Sequence, residues 1–275
     1  MRYIKVALKS VLIFILLFNI ITFSYAKNVE SLQKTQFDMF DNRMYLGADA
    51  SLLFLSNNWG QNASLLSSNA ELGVEKLFFN SRVWFDFNLT NLISYHQLDN
   101  NIIQPTKNPL PFDPNLFTIS LKVGRAFQVV HNHLQITPYG LFSKNSNMTP
   151  YSVLYTAQDQ DGVKYINSGL NNFFWTAGFG GRLEYAVSNT FDFYLDEHLS
   201  YSYDNAVIQH PYVKQNNIAL ANLLGMKWQA WNKLQFAVEE FYNYQDYLIT
   251  LPEQQYSQFR PKSILGTRFV VGLTF

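Results

Sequence analysis

The sequence predicts an all-β protein, a transmembrane antiparallel β-barrel of about ten strands that run up and down. After residue 26 no long apolar run resembles a spanning helix, whereas apolar and polar residues alternate through most of residues 44–275. The chain also carries a heavy aromatic load of 24 Phe and 17 Tyr among 275 residues. In lipid every backbone polar group must be paired within the protein, so strands can cross a membrane only as a closed barrel.

The segment Ser263 to Phe275 shows the alternation most clearly. Leu265, Thr267 and Phe269 point to one face, and Gly266 and Arg268 point to the other. An alternating last strand that ends on Phe resembles the closing strand of small bacterial outer-membrane β-barrel proteins, of the OmpX/OmpA-like or porin-like kind. This resemblance implies residence in the outer membrane of a Gram-negative bacterium, in contact with lipid and lipopolysaccharide. It also implies a C-terminal signal for the barrel-assembly machinery, formed by Phe269, Val271, Leu273 and Phe275.

Residues 1–26 are expected to be a secretory signal peptide. The segment opens on basic residues, continues through the apolar run Val11 to Phe23, and ends on Ser24-Tyr25-Ala26, which fits a cleavage site. The basic residues are Arg2, Lys5 and Lys9. The apolar run is shorter than the ~20 residues that a spanning helix requires. Residues 27–43 are polar and lack alternation, so they are expected to form a short N-terminal periplasmic segment, with a small plug as the alternative.

Ten segments within residues 44–275 then show a period of two, which is the period of a β-strand. In the first, Leu46 and Leu52 face one way while Asp49 and Ser51 face the other. The predicted strands cover residues of about 44–55, 69–78, 82–94, 115–127, 133–142, 173–186, 190–203, 217–230, 233–245 and 263–275. Barrels of eight or twelve strands are the alternatives.

Short and long connections alternate along this set. Asn80, Asn132, Asn189 and Asn232 each lie in a predicted tight turn, and Asn tolerates the left-handed backbone angles of such turns. The long connections are near residues 96–114, 143–172, 204–216 and 246–262. Short turns on the periplasmic side and long loops outside are typical of these barrels. Within the longest connection Asp161-Gly162 predicts a hairpin, interpreted as two barrel strands continuing above the membrane.

The face opposite the apolar one carries most of the glycines and many charges. The predicted inward acids are Asp49, Glu71, Glu75, Asp86, Glu184, Asp192, Asp196 and Glu239, and the bases are Lys122, Arg182, Lys227 and Arg268. Unpaired buried charges are costly, so we expect a hydrated network of salt bridges that fills the lumen. The alternative is a narrow, acid-lined pore that favours small cations.

Few residues suggest chemistry. Asp196 and His198 lie two apart on one face, and such a pair can activate water. The omptins, ten-stranded outer-membrane proteases, use an Asp-His pair with a second acidic pair, but here Asn88 stands two residues from Asp86. Asp196 and His198 are therefore weak catalytic candidates, and no enzyme activity is expected.

Metal and cofactor sites are not expected either. His131 and His133 flank a predicted turn, and we interpret them as solvated rather than as metal ligands. The chain has no cysteine, which excludes a disulfide framework and thiol-based sites. Its 20 basic and 20 acidic residues form no basic patch of the kind that binds nucleic acid.

The alternation is broken at Glu197, Asn222 and Glu240, where polar residues fall on the apolar face of neighbouring strands. A β-bulge in each strand would turn the acid inward, and this is the favoured explanation. The alternative is a polar patch on the outer wall that meets another subunit or the lipopolysaccharide zone.

The sequence therefore favours a non-enzymatic outer-membrane protein with a structural, adhesive or surface-interaction role. Its long extracellular loops would carry that role through a surface ligand or host partner. The first alternative is a narrow, weakly cation-selective porin. The second is an omptin-like membrane-embedded hydrolase.

Overall fold

The structure is a computed structural model, and the part of the chain that it describes lies in one compact unit, Thr35–Phe275. The described residues are 37–56, 62–78, 80–98, 117–146, 154–159, 162–167, 173–204, 214–250, 256–258 and 260–275. The predicted signal peptide, residues 27–36 of the predicted periplasmic segment and parts of the long loops lie outside them. Among the described residues, no helix is long and apolar enough to cross a membrane.

Strands make up almost all of the described chain. A single short helix, α1, spans Phe37–Phe40. The strands are β1 (Arg43–Ser56), β2 (Asn62–Phe78), β3 (Val83–Gln97), β4 (Phe117–Arg125), β5 (Phe127–Val130), β6 (Leu134–Ser146), β7 (Leu154–Asp159), β8 (Gly162–Asn167), β9 (Phe173–Ser188), β10 (Phe191–Asp204), β11 (Lys214–Trp231), β12 (Leu234–Thr250), β13 (Tyr256–Gln258) and β14 (Arg260–Thr274).

The wall of the molecule is a closed antiparallel barrel. Its strand order is β4-β3-β2-β1-β14-β12-β11-β10-β9-β6-β5, and pairing of β4 with β6 closes the ring. Because β4 and β5 are one wall strand interrupted at Ala126, the barrel has ten strands, and the predicted fold is confirmed. The first and last wall strands join along fourteen residue pairs, from Arg43–Thr274 to Ser56–Arg260. The largest difference from the predicted bounds is in β2, which begins at Asn62 rather than near residue 69.

The four shortest connections between wall strands, of two to four residues each, lie at one end of the barrel, which we call the short-turn end. The other end is the long-loop end. Of the four predicted turn asparagines, Asn132 has a positive φ of 60°. In the β2–β3 turn Arg82, not Asn80, takes this conformation, with a φ of 54°. In both turns a non-glycine residue adopts the left-handed backbone conformation, which is uncommon and mildly strained for such residues, because the tight turn requires it.

A second, smaller sheet belongs to the long loops. The predicted hairpin is present as β7 and β8, whose pairing runs from Leu154–Asn167 to Asp159–Gly162. The interpretation of these strands as continuations of the barrel wall is wrong, because they form a sheet of their own. β13, from the connection between β12 and β14, adds to the free edge of β7. Two separate long connections are therefore joined by backbone hydrogen bonds.

The alternation holds on both faces of the wall. Large apolar residues are exposed on the outside, among them Leu46, Phe179, Leu224 and Phe269. Irregular register occurs in five strand pairs, at Phe54/Leu55, Ser68/Asn69, Gln128/Val130, Phe191/Asp192 and Gln229/Trp231. None of these positions is next to Glu197, Asn222 or Glu240. The prediction of a bulge at each of these sites is therefore wrong, and Glu197 and Glu240 stay on the outer face.

Candidate functional site

The short-turn end of the lumen is filled by the segment that precedes β1. Phe37 and Phe40 of α1 have no exposed surface. Phe37 packs in an apolar cluster whose other members come from the inner faces of five wall segments: Leu77, Trp84, Ala126, Tyr139, Leu141 and Ala186. The described part of the N-terminal segment thus lies inside the barrel, and we call residues 37–42 the plug.

Polar contacts fix the plug to several strands. The Asn42 side-chain oxygen accepts a hydrogen bond from the backbone N–H of Leu77 at 3.3 Å, and its carbonyl accepts one from Phe275 at 3.2 Å. Gln135 of β6 donates to the Asp41 carboxylate at 3.0 Å. Because these partners lie around the ring, the plug is held from several sides.

A buried ionic layer lies directly against the plug. The Lys227 ammonium is 2.8 Å from Asp41, 3.1 Å from Glu184 and 3.5 Å from Glu75. The Arg43 guanidinium also contacts Glu75, at 2.8 Å. The alternation predicted that these wall residues face inward, but it did not predict Asp41 or Arg43.

Arg182 joins two of the same acids to each other. Its guanidinium lies 2.7 Å from both Glu75 and Glu184. The Trp84 indole donates to Glu75 at 3.1 Å. Three acids, Asp41, Glu75 and Glu184, therefore face three bases, Arg43, Arg182 and Lys227, and the close ion pairs among them offset part of the cost of burying these groups.

The same three acids have the spacing of a metal site, since their ligand atoms lie within 4.8 Å of one another. The Lys227 ammonium already contacts all three. A fixed cation of the protein thus takes the position that a metal ion would need. Burial, with the neighbouring Glu184 as the next cause, raises the pKa of Asp41 to about 7, and Lys227 opposes that rise.

A second polar layer lies further from the short-turn end. The Tyr45 hydroxyl oxygen lies 2.9 Å from Asp86 and 3.1 Å from Glu71, and its single proton is shared between these two carboxylates. Arg268 pairs with Glu71 and, at 2.7 Å, with Glu239. The Tyr194 hydroxyl donates to Glu239. Tyrosine hydroxyls and one guanidinium therefore satisfy the acids that the first layer does not reach.

Each of the large lumen tyrosines lies over a glycine directly across on a neighbouring strand. The pairs are Tyr45–Gly73, Tyr139–Gly180 and Tyr194–Gly225. A Cβ added at any of these glycines would overlap the facing tyrosine ring. At Gly73 and Gly225 the tyrosine is the nearest obstacle to a Cβ, whereas at Gly180 the Glu197 carbonyl oxygen is nearer still. Close approach of a ring or of backbone thus requires glycine at these positions, a reason that composition alone did not reveal.

The weak catalytic candidates lie in a third cluster, in the middle of the lumen. Lys122 forms an ion pair of 2.7 Å with one Asp196 oxygen, and the Tyr139 hydroxyl donates to the other. His198 Nδ1 is 3.4 Å from the Tyr139 hydroxyl oxygen and 3.9 Å from Asp196. Both carboxylate oxygens of Asp196 are thus engaged by side chains other than His198.

The remaining predicted lumen charges differ in how they are satisfied. Asn69 donates to Asp49 at 2.7 Å. Asp192 is completely buried, and neither of its oxygens has a hydrogen-bond partner among the described residues.

His131 is exposed in its turn, and His133 Nδ1 lies 3.2 Å from the Ala186 carbonyl oxygen. The two histidines share no acidic ligand in the described chain.

The outer wall carries the polar residues that interrupt its apolar surface. Glu197 and Glu240 are exposed, and Thr267 donates a hydrogen bond of 2.8 Å to Glu240. Placing charged side chains of either sign toward lipid is unfavourable, by ~2–4 kcal/mol for bases at the membrane midplane and less for acids. The residues of the predicted C-terminal signal, Phe269, Val271, Leu273 and Phe275, also face outward and are exposed.

No protein-family model matches the chain, and no curated protein matches it. Solved structures do match, and those that follow are bacterial outer-membrane β-barrels. One is an outer membrane channel from Pseudomonas putida F1, 8% identical with a TM-score of 0.46, covering 84% of this chain and 95% of that chain. The β domain of the Bordetella autotransporter BrkA is 10% identical with a TM-score of 0.44, covering 86% and 100%. The outer membrane protease OmpT from Escherichia coli is 10% identical with a TM-score of 0.38, covering 90% and 100%.

Proposed function

We propose that the protein is a non-enzymatic, non-conducting barrel of the outer membrane of a Gram-negative bacterium that acts through its long-loop end. The exposed apolar side chains of the outer wall support the membrane location, since this surface would be buried in lipid. Lipid and lipopolysaccharide would then be its surroundings. The barrel-assembly machinery would act on the outward aromatic and aliphatic residues of β14.

The observation that carries the proposal is the solid packing of the short-turn end. Phe37, Phe40, Trp84 and Lys227 each have no exposed surface, although all lie within the lumen. A ten-stranded barrel has a narrow interior that side chains can fill. An ion crossing this layer would have to displace the plug and separate the ion pairs of Lys227. This supports a structural or surface role over the narrow porin.

The third cluster supports the same choice over the hydrolase. A general base needs a free lone pair directed at the reacting water. The Asp196 carboxylate is neutralised by Lys122 and bonded to Tyr139, and His198 is at the outer limit of hydrogen-bond distance. These contacts are typical of a structural ion pair in the lumen, here one that joins strands β4, β6 and β10.

The long-loop end is the part of the molecule that is free to contact a partner. There β7, β8 and β13 form a sheet from two connections that are far apart in the chain. Loops joined in this way present a more fixed surface than separate loops do. A surface ligand or host partner would bind at this sheet.

Single-channel recording from the refolded protein in planar bilayers tests the first part of the proposal. We expect no ohmic steps from the full chain, and a variant that lacks residues 27–42 should conduct because its lumen has lost the plug. A milder variant, Phe37→Ser with Phe40→Ser, serves if the deletion does not fold. Heat-modifiable mobility in gel electrophoresis verifies folding in each case. Regular conductance steps from the full chain would show that the porin alternative is right.

Complementation separates an envelope role from a surface role. Cells that lack the protein receive either the full chain or a variant with residues 154–167 replaced by a short Gly-Ser linker. If only the full chain restores attachment to a surface, while both restore resistance to large antibiotics, the loop sheet carries the surface role. Equal behaviour of the two in both assays would contradict a role for this sheet.

A further inference from the structure

A polar patch interrupts the outer wall at the middle of its apolar surface. Glu197 on β10, Asn222 on β11 and Glu240 on β12 all point outward. Below Glu197, toward the short-turn end, β10 has the outward residues Phe191, Phe193 and Leu195, and above it Leu199, Tyr201 and Tyr203. Asn222 and Glu240 are flanked by apolar or aromatic outward residues on both sides in the same way. The patch therefore lies near the membrane midplane.

The register makes these residues one continuous surface. Glu197 lies directly across from Asn222, and Asn222 lies across from Tyr242. Glu240 is the next outward residue on β12 and lies across from Thr267 of β14. We call these five residues, Glu197, Asn222, Tyr242, Glu240 and Thr267, the outer polar patch.

The bonding capacity of the outer polar patch is largely unused within the chain. In the described part of the structure, the Glu197 side chain makes no hydrogen bond or ion pair, and the Glu240 side chain accepts one bond, at a single oxygen, from Thr267. Lipid tails offer no hydrogen-bond donor to a carboxylate. Groups of this kind in a membrane are usually buried against other polar protein groups.

The patch also contains both halves of a polar interface. Glu197 and Glu240 provide acceptors, and the Asn222 amide and the Tyr242 hydroxyl provide donors, whereas the single proton of the Thr267 hydroxyl is already donated to Glu240. A two-fold axis along the membrane normal, passing between β11 and β12, would set β10 of one copy against β14 of the other. It would likewise set β11 against β12. Glu240 of each copy would then face the Asn222 amide of its partner, so that an acceptor and a donor meet twice across the axis, which is the self-complementarity that a two-fold interface requires.

We propose that the outer polar patch is the surface at which two copies of this chain pair within the membrane. The inference rests on the membrane location given under the proposed function, and not on the closed lumen or the loop surface. The contact would cover the four neighbouring strands β10, β11, β12 and β14, a width of roughly 15–20 Å at the ~4.8 Å spacing of strands. Aliphatic residues above and below the patch, such as Leu224, would pack at the same interface.

Cysteine cross-linking tests this pairing directly, because the chain contains no cysteine. Leu224→Cys places a thiol on β11 next to the patch, at a side chain that is 58% exposed, and leaves the patch itself intact. The matched control is Phe87→Cys, an outward residue of β3, which lies five strands from β11 in either direction around the ring. After mild oxidation in isolated membranes we expect a disulfide-linked dimer from Leu224→Cys and only monomer from Phe87→Cys.

Variants of the acids then test whether the patch holds the pair together. In the Leu224→Cys background, Glu197→Leu with Glu240→Leu should abolish the cross-linked dimer, because leucine is accommodated by lipid and needs no partner. Glu197→Gln with Glu240→Gln should keep it, since the amides still hydrogen-bond. Loss of the dimer in both double variants would contradict the proposed hydrogen bonding, as would its retention in both.

The remaining outcomes of the cross-linking experiment overturn the proposal. Monomer from Leu224→Cys, together with a monomeric mass for the wild-type chain after mild extraction, would show that the patch faces lipid. A product whose mass is not twice that of the chain would show a different protein as the partner. Extraction of the chain by alkaline carbonate would instead show that it is not inserted, which would refute the membrane location itself.

Discussion

Lys227 on β11 donates a hydrogen bond of 2.8 Å to the carboxylate of Asp41, which precedes β1. Both side chains are completely buried. The bond joins the plug to the wall and is part of a layer in which Asp41, Glu75 and Glu184 each contact at least one base. Losing one partner would leave a buried charge without compensation, which is the most costly kind of change in such a layer.

Replacing Lys227 with Met should destabilise the barrel strongly. The substitution leaves Asp41, Glu75 and Glu184 close together without their shared ammonium, and the expected loss is about 3–5 kcal/mol. Urea unfolding in detergent micelles, followed by tryptophan fluorescence, measures it. The control is Lys233→Met in the exposed β11–β12 turn, which should change stability by less than ~0.5 kcal/mol. Equal stability of the two variants would show that the layer is not held by its ion pairs.

Gly225→Ala should cost about 1–3 kcal/mol of stability, because its new Cβ would overlap the Tyr194 ring. That ring is buried and its hydroxyl is bonded to Glu239, so it has little freedom to move. Gly140→Ala is the matched control, since no atom lies within 4 Å of the Cβ position there. Thermal unfolding of both variants provides the comparison. In a Tyr194→Leu background the cost of Gly225→Ala should shrink, and an unchanged cost would refute the steric explanation.

The stability contributed by Asp41 should fall as the pH rises from about 4 to about 7. Burial, and then Glu184, raises the pKa of Asp41 from 3.8 to about 7, while Lys227 and Arg182 oppose the rise and Glu75 adds to it. The folded protein therefore binds the Asp41 proton more tightly than the unfolded chain does. The resulting stabilisation is complete at low pH and is lost on the way to the folded pKa.

Asp41→Asn isolates this effect because the amide does not titrate. The free energy of unfolding of the wild type, minus that of Asp41→Asn, should decrease across this pH window and then level off. Denaturant titrations at pH 4, 5.5, 7 and 8.5 measure the difference. An increase across the same window would show that pairing with Lys227 outweighs burial.

The pair Lys122–Asp196 should behave as a structural ion pair. Lys122→Met leaves the Asp196 carboxylate buried with Tyr139 as its remaining close donor, and about 3 kcal/mol of stability should be lost. Adding Asp196→Asn should restore part of that loss, because the uncompensated charge disappears. His198→Ala should cost less than either single change, since its contacts are the longest of the cluster. A double-mutant cycle without coupling between Lys122 and Asp196 would contradict this prediction.

The interruptions of the alternation show where local pattern was insufficient. At Glu197 and Glu240 a bulge was the favoured prediction, because it removes a charge from lipid at the cost of one irregular pair. The register continues through both residues, so that the acids remain outside. The alternation cannot distinguish a bulge from an outward-facing charge, because both arrangements have the same sequence pattern.

The plug was missed as a definite element for a different reason. Asp41 and Arg43 lie at the end of a polar stretch without periodicity, and their partners are far away in sequence, as in the pair Asp41–Lys227. Such contacts become visible only when the ring is closed. The same is true of Tyr194 and Gly225, which are 31 residues apart but directly opposed across β10 and β11.

The sequence alone determined the strands, through their period of two, their apolar outer face and the short turns between them. From these properties a closed barrel of ten strands follows. These properties depend on neighbours along the chain, and the backbone needs of a membrane protein leave few other architectures. What only the tertiary structure decided is which inward groups meet. Pairing of Arg268 with Glu71 and Glu239, and the position of Lys227 among three acids, depend on register and closure. The physical reason is that alternation defines the face to which a side chain points, whereas strand register and ring closure define what it contacts there.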